Sequence, residues 1–154
     1  MTGRIAKRLA ELGLDLPQPP APVASYVPAV IAGSLLFISG QVSLDRGKLI
    51  AGRLGDGLDI ETGQKAARAC ALNLLAQAQM ALRDLDRIKR CVKLTGFVNA
   101  APGFTDHPKV VNGASDLMVE VFGDAGRHAR AAVGATSLPL DAAVEVEAIF
   151  EIEA

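Results

Sequence analysis

The chain has 154 residues, half of them hydrophobic and 21% charged, with a formal net charge of −1. A pI near 6.1 gives no electrostatic pull toward nucleic acid, and the absence of Trp beside a single Tyr leaves little surface for stacking bases. A mean hydropathy of +0.28 is high for one domain-sized soluble chain, so part of its apolar surface is expected to be buried between subunits.

The N-terminal residues carry Arg4, Lys7, Arg8 and Glu11 and so lack the apolar core of a signal peptide. Residues Gly3 to Leu12 read instead as a short amphipathic helix with Ile5, Leu9 and Leu12 on one face. Four prolines between Pro17 and Pro22 predict a stiff, extended linker, dividing residues 1–20 from a main domain at 21–154. Two strands follow near Val27–Ile31 and Leu35–Ser39, joined tightly at Gly33-Ser34. The apolar run they form is too short to span a bilayer and contains Pro28 and Gly33. A cytoplasmic address without membrane contact is the expectation.

A third strand, Lys48 to Ala51, comes after the turn at Asp45-Arg46-Gly47. Asp59 is placed to cap a helix running to about Leu85, whose apolar stripe includes Ala66, Cys70, Leu74, Ala78 and Leu82. Arg90 to Asn99 alternates as a strand, Pro108 to Phe122 has helical periodicity, and Arg130–Ala135 and Ala143–Glu153 read as the last two strands. The order β-β-β-α-β-α-β-β argues an α+β fold, a mixed sheet with two long helices on one face and an extra N-terminal helix.

Most motifs point to no chemistry. Gly52 to Gly57 lacks a P-loop ending and the dinucleotide fingerprint, and reads as a plain loop. Cys70 and Cys91 have no ligand or redox spacing and read as reduced core residues. His107 and His128 fit no metal motif and read as solvated or hydrogen-bonding; no metal or cofactor is expected. What remains is Arg130 near Val144-Glu145-Val146-Glu147-Ala148-Ile149, where Glu145 and Glu147 share one face of a strand. If a second subunit covers that face, the carboxylates need partners there, and Arg130 offers a fork for a ligand carboxylate.

Tyr26-Val27, Ser39-Gly40-Gln41, Val111-Asn112, Arg130-Ala131-Ala132-Val133, Leu138-Pro139 and Val144 to Ile149 stand in an order that resembles the RidA family, also called YjgF/YER057c/UK114, the reactive intermediate deaminases. The likeness covers residues from about 21 to 151. It implies a chorismate-mutase-like α+β subunit assembled as a homotrimer with clefts between neighbours. It also implies hydrolysis of enamines and imines, such as 2-aminoacrylate, to 2-keto acids and ammonia without a cofactor. By this resemblance Arg130 binds the substrate carboxylate and Glu145 positions or activates water. Tyr26, Ser39 and Gly40 line the pocket, and Asn112 holds its surroundings. The chain departs from the family at Ala132, where Cys or Ser is frequent, at Gly134, where many members carry a larger polar side chain, and in its added N-terminal helix. The alternatives are a non-catalytic module binding a 2-keto acid and, more weakly, an endoribonuclease, which the composition does not support.

Overall fold

The computed structural model describes residues 3–19 and 24–153. Pro20 and Pro22 of the expected linker, and the expected boundary between residues 20 and 21, lie outside them.

Helix α1 (Arg4–Glu11) buries Ile5 and Leu9 in the same core as the rest of the chain. It has no side-chain cap of its own; the Asp86 carboxylate accepts from the backbone N–H groups of Arg4 and Ile5, each at 2.8 Å. The Ile5 N–H and then the Arg4 N–H hold the Asp86 carboxyl below the usual carboxylate range. Arg8 Nε donates to the Glu120 carbonyl at 2.8 Å, so the helix is fixed at two points.

Strands β1 (Ala29–Ala32) and β2 (Leu35–Val42) form the expected hairpin, with Gly33 at φ 60° in the turn. A small ribbon of β3 (Leu44–Asp45) and β4 (Lys48–Leu49) turns through Arg46 and Gly47, both at positive φ. The segment read as a plain loop instead holds two short strands, β5 (Arg53–Leu54) and β6 (Gly57–Leu58), folded around Gly55 at φ 82°.

Helix α2 (Ile60–Leu82) starts as expected, with the Asp59 side chain accepting from Thr62 N–H at 2.8 Å. It stops three residues before Leu85 because Arg83 takes a left-handed φ of 69°, and Asp84 then caps a short 3-10 turn, Leu85–Arg87. Strand β7 (Ile88–Asn99), helix α3 (His107–Phe122), β8 (Ala129–Ala135) and β9 (Val144–Ile152) complete the chain.

The five-stranded sheet has the order β1-β2-β9-β7-β8, and only β7–β8 is parallel, with α3 as the crossover between them. Both long helices lie on one face, α2 against β2 and β9, α3 against β7 and β8. Along β9, Val144, Val146, Ala148, Phe150 and Ile152 are buried under the helices, while Glu145 and Glu147 look the other way. Cys70 and Cys91 are both buried, and burial raises both thiols, Cys91 to about 12. That leaves them protonated and unreactive.

The two helices touch through Gly113, where a Cβ would run into the backbone carbonyl of Gln64. An exposed helical glycine gains about 1 kcal/mol when changed to alanine. Here backbone meets backbone, so Gly113→Ala should instead lower stability by about 1–3 kcal/mol, read from urea midpoints. A raised midpoint would contradict this packing.

Candidate functional site

The residues singled out from the sequence fall into two groups. The first lies at the β8 edge. In register, Arg130 pairs with Leu94, which pairs with Ala148, and both of those side chains are buried beneath the helices. Arg130 therefore projects to the helix side. There its Nη1 donates to Asn112 Oδ1 at 2.8 Å and to Ser115 Oγ at 3.1 Å. Asn112 and Ser115 are one helical turn apart on α3, and His128 and Arg130 are two residues apart on one side of the chain.

His128 completes the cluster, with Nε2 2.8 Å from Ser115 Oγ and Nδ1 2.6 Å from the Gly126 carbonyl. A carbonyl only accepts, so Nδ1 carries the proton in the neutral ring, and the Ser115 hydroxyl donates to Nε2. These four residues, with Asp116, Val119 and Arg127, line an open cleft of about 330 Å³. Among the described residues, Arg130 has no carboxylate partner, and its Nε and Nη2 edge meets no acceptor.

The second group lies on the open face of the sheet. The register between β2 and β9 shifts between Ile38 and Gln41, so Ser39 and Gly40 together oppose Glu147 alone. The bulge brings Gly40 under Glu145, whose carboxylate occupies the place of any Cβ there. Any side chain at 40 would have to displace the Glu145 carboxylate from this place, so Gly40 and Glu145 share one space. Ser39 Oγ donates to the Val27 carbonyl at 2.9 Å and so pins the segment carrying Tyr26, which is 58% exposed. Burial, and then the Glu147 carboxylate, push the Glu145 carboxyl above its usual range.

Within one chain these groups do not meet. Glu145 pairs with Phe97, and Phe97 with Val133, so Glu145 faces the side opposite Arg130. It is also two strand spacings, about 10 Å, from β8. Strand parity therefore keeps Arg130 and Glu145 from holding one ligand together within a single subunit. Ser115 and His128 were missed as site residues, although their spacings to Asn112 and Arg130 put all four on facing surfaces. Ala132 shares the Arg130 side of β8, and so does Gly134, where a Cβ would lie 2.5 Å from His107 Nε2. His107, packed edge-on to Phe104 at 5.4 Å, fills the space that a side chain at 134 would take.

A family model described as "YjgF/chorismate_mutase-like, putative endoribonuclease" matches residues 6–152. The chain belongs to the RidA (YjgF) family. Protein TCP17 of Trypanosoma cruzi is 52% identical over 153 residues, covering 98% of this chain and 96% of that protein. The crystal structure of Atu1372 from Agrobacterium tumefaciens, of unknown function, superposes with a TM-score of 0.90 at 48% identity, covering 97% of this chain and 92% of that one. A RidA relative from Dermatophagoides farinae named 2-iminobutanoate/2-iminopropanoate deaminase is 27% identical over 142 residues, 91% of this chain and 95% of that protein. The chorismate-mutase-like α+β fold expected from the sequence is therefore the fold observed. Among the described residues, no helix is long and apolar enough to cross a membrane.

A carboxyl whose folded value is raised binds its proton more tightly in the fold. Stability therefore falls as pH rises from the unfolded value, about 4.3, through the folded one, and is unaffected below both. Glu145→Gln should raise the urea midpoint over wild type near pH 7 and give no such gain near pH 3. An equal gain at both pH values would contradict the assignment of the shift to this carboxyl.

Proposed function

We propose that the chain hydrolyses short-lived imines and enamines of amino acids, such as 2-aminoacrylate, to 2-keto acids and ammonia, in clefts between the subunits of a homotrimer. The observation that carries this reading is Arg130. Its guanidinium is held rigid from one edge by Asn112 and Ser115, and it presents a second, unpaired edge to an open cleft. A planar fork with one edge free is suited to a bidentate grip on a carboxylate.

The intersubunit placement is supported by the sheet. Its open face bears Val30, Phe37 and Val133, each more than a third exposed, beside Glu145 and the half-buried Ile149. Apolar surface of this kind is what a second copy would bury. A neighbour seated there would bring the Glu145 and Gly40 side of one subunit to the Arg130 side of another.

In such a cleft Arg130 holds the substrate carboxylate and fixes the adjacent imine carbon. That carbon is already electrophilic, so a single oriented water suffices for attack, and the chemistry requires no metal or organic cofactor. Glu145, with its affinity for protons raised, accepts the proton of the attacking water. The carbinolamine then collapses to the keto acid and ammonia. The relative named as a deaminase adds a family precedent.

Ammonia release from freshly generated 2-aminoacrylate should exceed the buffer rate, and kcat/KM should fall about 100-fold or more in Arg130→Ala. Arg130→Lys should recover only part, since it restores charge without the fork. Saturable binding of 2-ketobutyrate with no acceleration by wild type would replace this reading with that of a binding module.

A further inference from the structure

We propose that the cavity between residues 13–18, α2 and the β3–β4 ribbon is a second binding site, one that takes a small amphipathic primary amine in its ammonium form. The cavity holds about 530 Å³, within the range of small-molecule sites, and shares no residue with the Arg130 cleft. Neither the imine-hydrolysis reading nor the trimer is needed for it. Helix α2 covers the helix face of the sheet, so a copy seated on the opposite face leaves the cavity accessible.

The polar group that points to a ligand is Asn73, which lines the cavity while only 6% of the residue stays exposed. Its Nδ2 donates to the Leu44 carbonyl at 2.9 Å and to the Val42 carbonyl at 3.3 Å. Two carbonyls fix which arm of the amide is nitrogen, and both of its hydrogens are used. Oδ1 is therefore turned away from the strand backbone, and among the described residues nothing donates to it. An amide oxygen left without a donor in so buried a residue favours an occupant that brings an N–H or O–H.

The charge of the walls decides which donor. Asp15 and Asp45 both line the cavity. Asp15 has no cationic partner among the described residues, and Asp45 meets only Arg46, its neighbour in sequence, at 3.5 Å. A cation gains from both carboxylates, whereas a ligand carboxylate is repelled by them. Arg46 offers it little, since that side chain is 93% exposed. Leu14, Leu16, Leu44 and Leu72 line the rest and suit an apolar body. An ammonium on a short aryl or alkyl chain meets all three demands.

The segment that closes the cavity is also open to an occupant. Leu14 N–H donates back to the Leu9 carbonyl at 2.9 Å, but from Asp15 to Pro19 the chain makes no hydrogen bond among the described residues. Leu14 and Leu16 hold it against the core, and it crosses α2 as a strap with a smaller hollow of about 340 Å³ on its other side. Such a strap lifts without breaking hydrogen bonds, and the Asp15 and Leu16 backbone groups stay available to a ligand.

The test is titration of the full chain with phenethylamine, read by calorimetry and by 1H–15N spectra, with 2-phenylethanol, phenylalanine and 3-phenylpropionate as comparisons. The proposal predicts saturable binding of phenethylamine at one site per chain. The Asn73 side-chain amide and the backbone signals of Asp15, Leu16 and Gln18 shift, while those of Asn112, Ser115 and Arg130 do not. 2-Phenylethanol binds more weakly, and the two carboxylates more weakly still. Asp15→Asn, on the exposed strap, lowers affinity about 3- to 5-fold. Ala69→Met puts a flexible side chain into the cavity from a helix that tolerates it, and abolishes binding. The Asp15→Asn arm does not depend on whether the packed position 69 accepts the larger residue. An unmoved Asn73 amide at millimolar phenethylamine overturns the site, as does unchanged affinity in either variant or equally tight binding of 3-phenylpropionate. These readouts need no turnover, so a chain that binds phenethylamine here yet releases no ammonia from 2-aminoacrylate supports this site and overturns the deaminase reading alone.

Discussion

A five-stranded sheet covered by helices on only one face imposes two fates on every strand. Residues of one parity enter the core, and those of the other must meet solvent or another molecule. Along β9 the core parity is Val144, Val146, Ala148, Phe150 and Ile152, and it anchors the sheet beneath α2 and α3. The other parity carries Glu145 and Glu147, beside Phe37 of β2 and Val133 of β8. The bulge at Ser39 and Gly40 exists within that arrangement, since it opens the place that the Glu145 carboxylate occupies.

The same alternation puts Arg130 on the helix side of the edge strand, where no further strand covers it. An edge position explains how an arginine can be half-buried, rigid and still open along one side. Two hydrogen bonds donated to Asn112 and Ser115 of α3 replace part of its hydration, and the remaining donors are left unpaired. The chain thus holds an arginine with unpaired donors on one side of the sheet and a pair of carboxylates on the other. One site built from both requires two copies, and the proposed trimer meets that requirement with a closed, cyclic arrangement.

Much of the fold was legible from local patterns. The Asp59 cap, the small-residue stripe of α2, the Gly33 turn and the alternation in β9 each rest on neighbours in sequence. The early end of α2 was not legible, because Arg83 enters the left-handed region that usually signals glycine or asparagine. Nor were β5 and β6, each only two residues long. Arg130, Asn112, Gly40 and Glu145 were identified by motif, but their division between two faces depends on how β8 and β9 both register on β7. That pairing is long-range and partly parallel, so no local period reveals it. Ser115 and His128 escaped notice because their contact joins α3 to the start of β8 across a turn.

The central claim, that each site takes Arg130 from one copy and Glu145 from another, is tested most directly by mixing variants. Arg130→Ala and Glu145→Gln would each be inactive alone. Co-expressed at equal levels, random trimers would restore one cleft in four, so ammonia release should return to about a quarter of the wild-type rate. Mixed preparations shown by native mass spectrometry to contain mixed trimers, yet as inactive as either variant alone, would contradict the account.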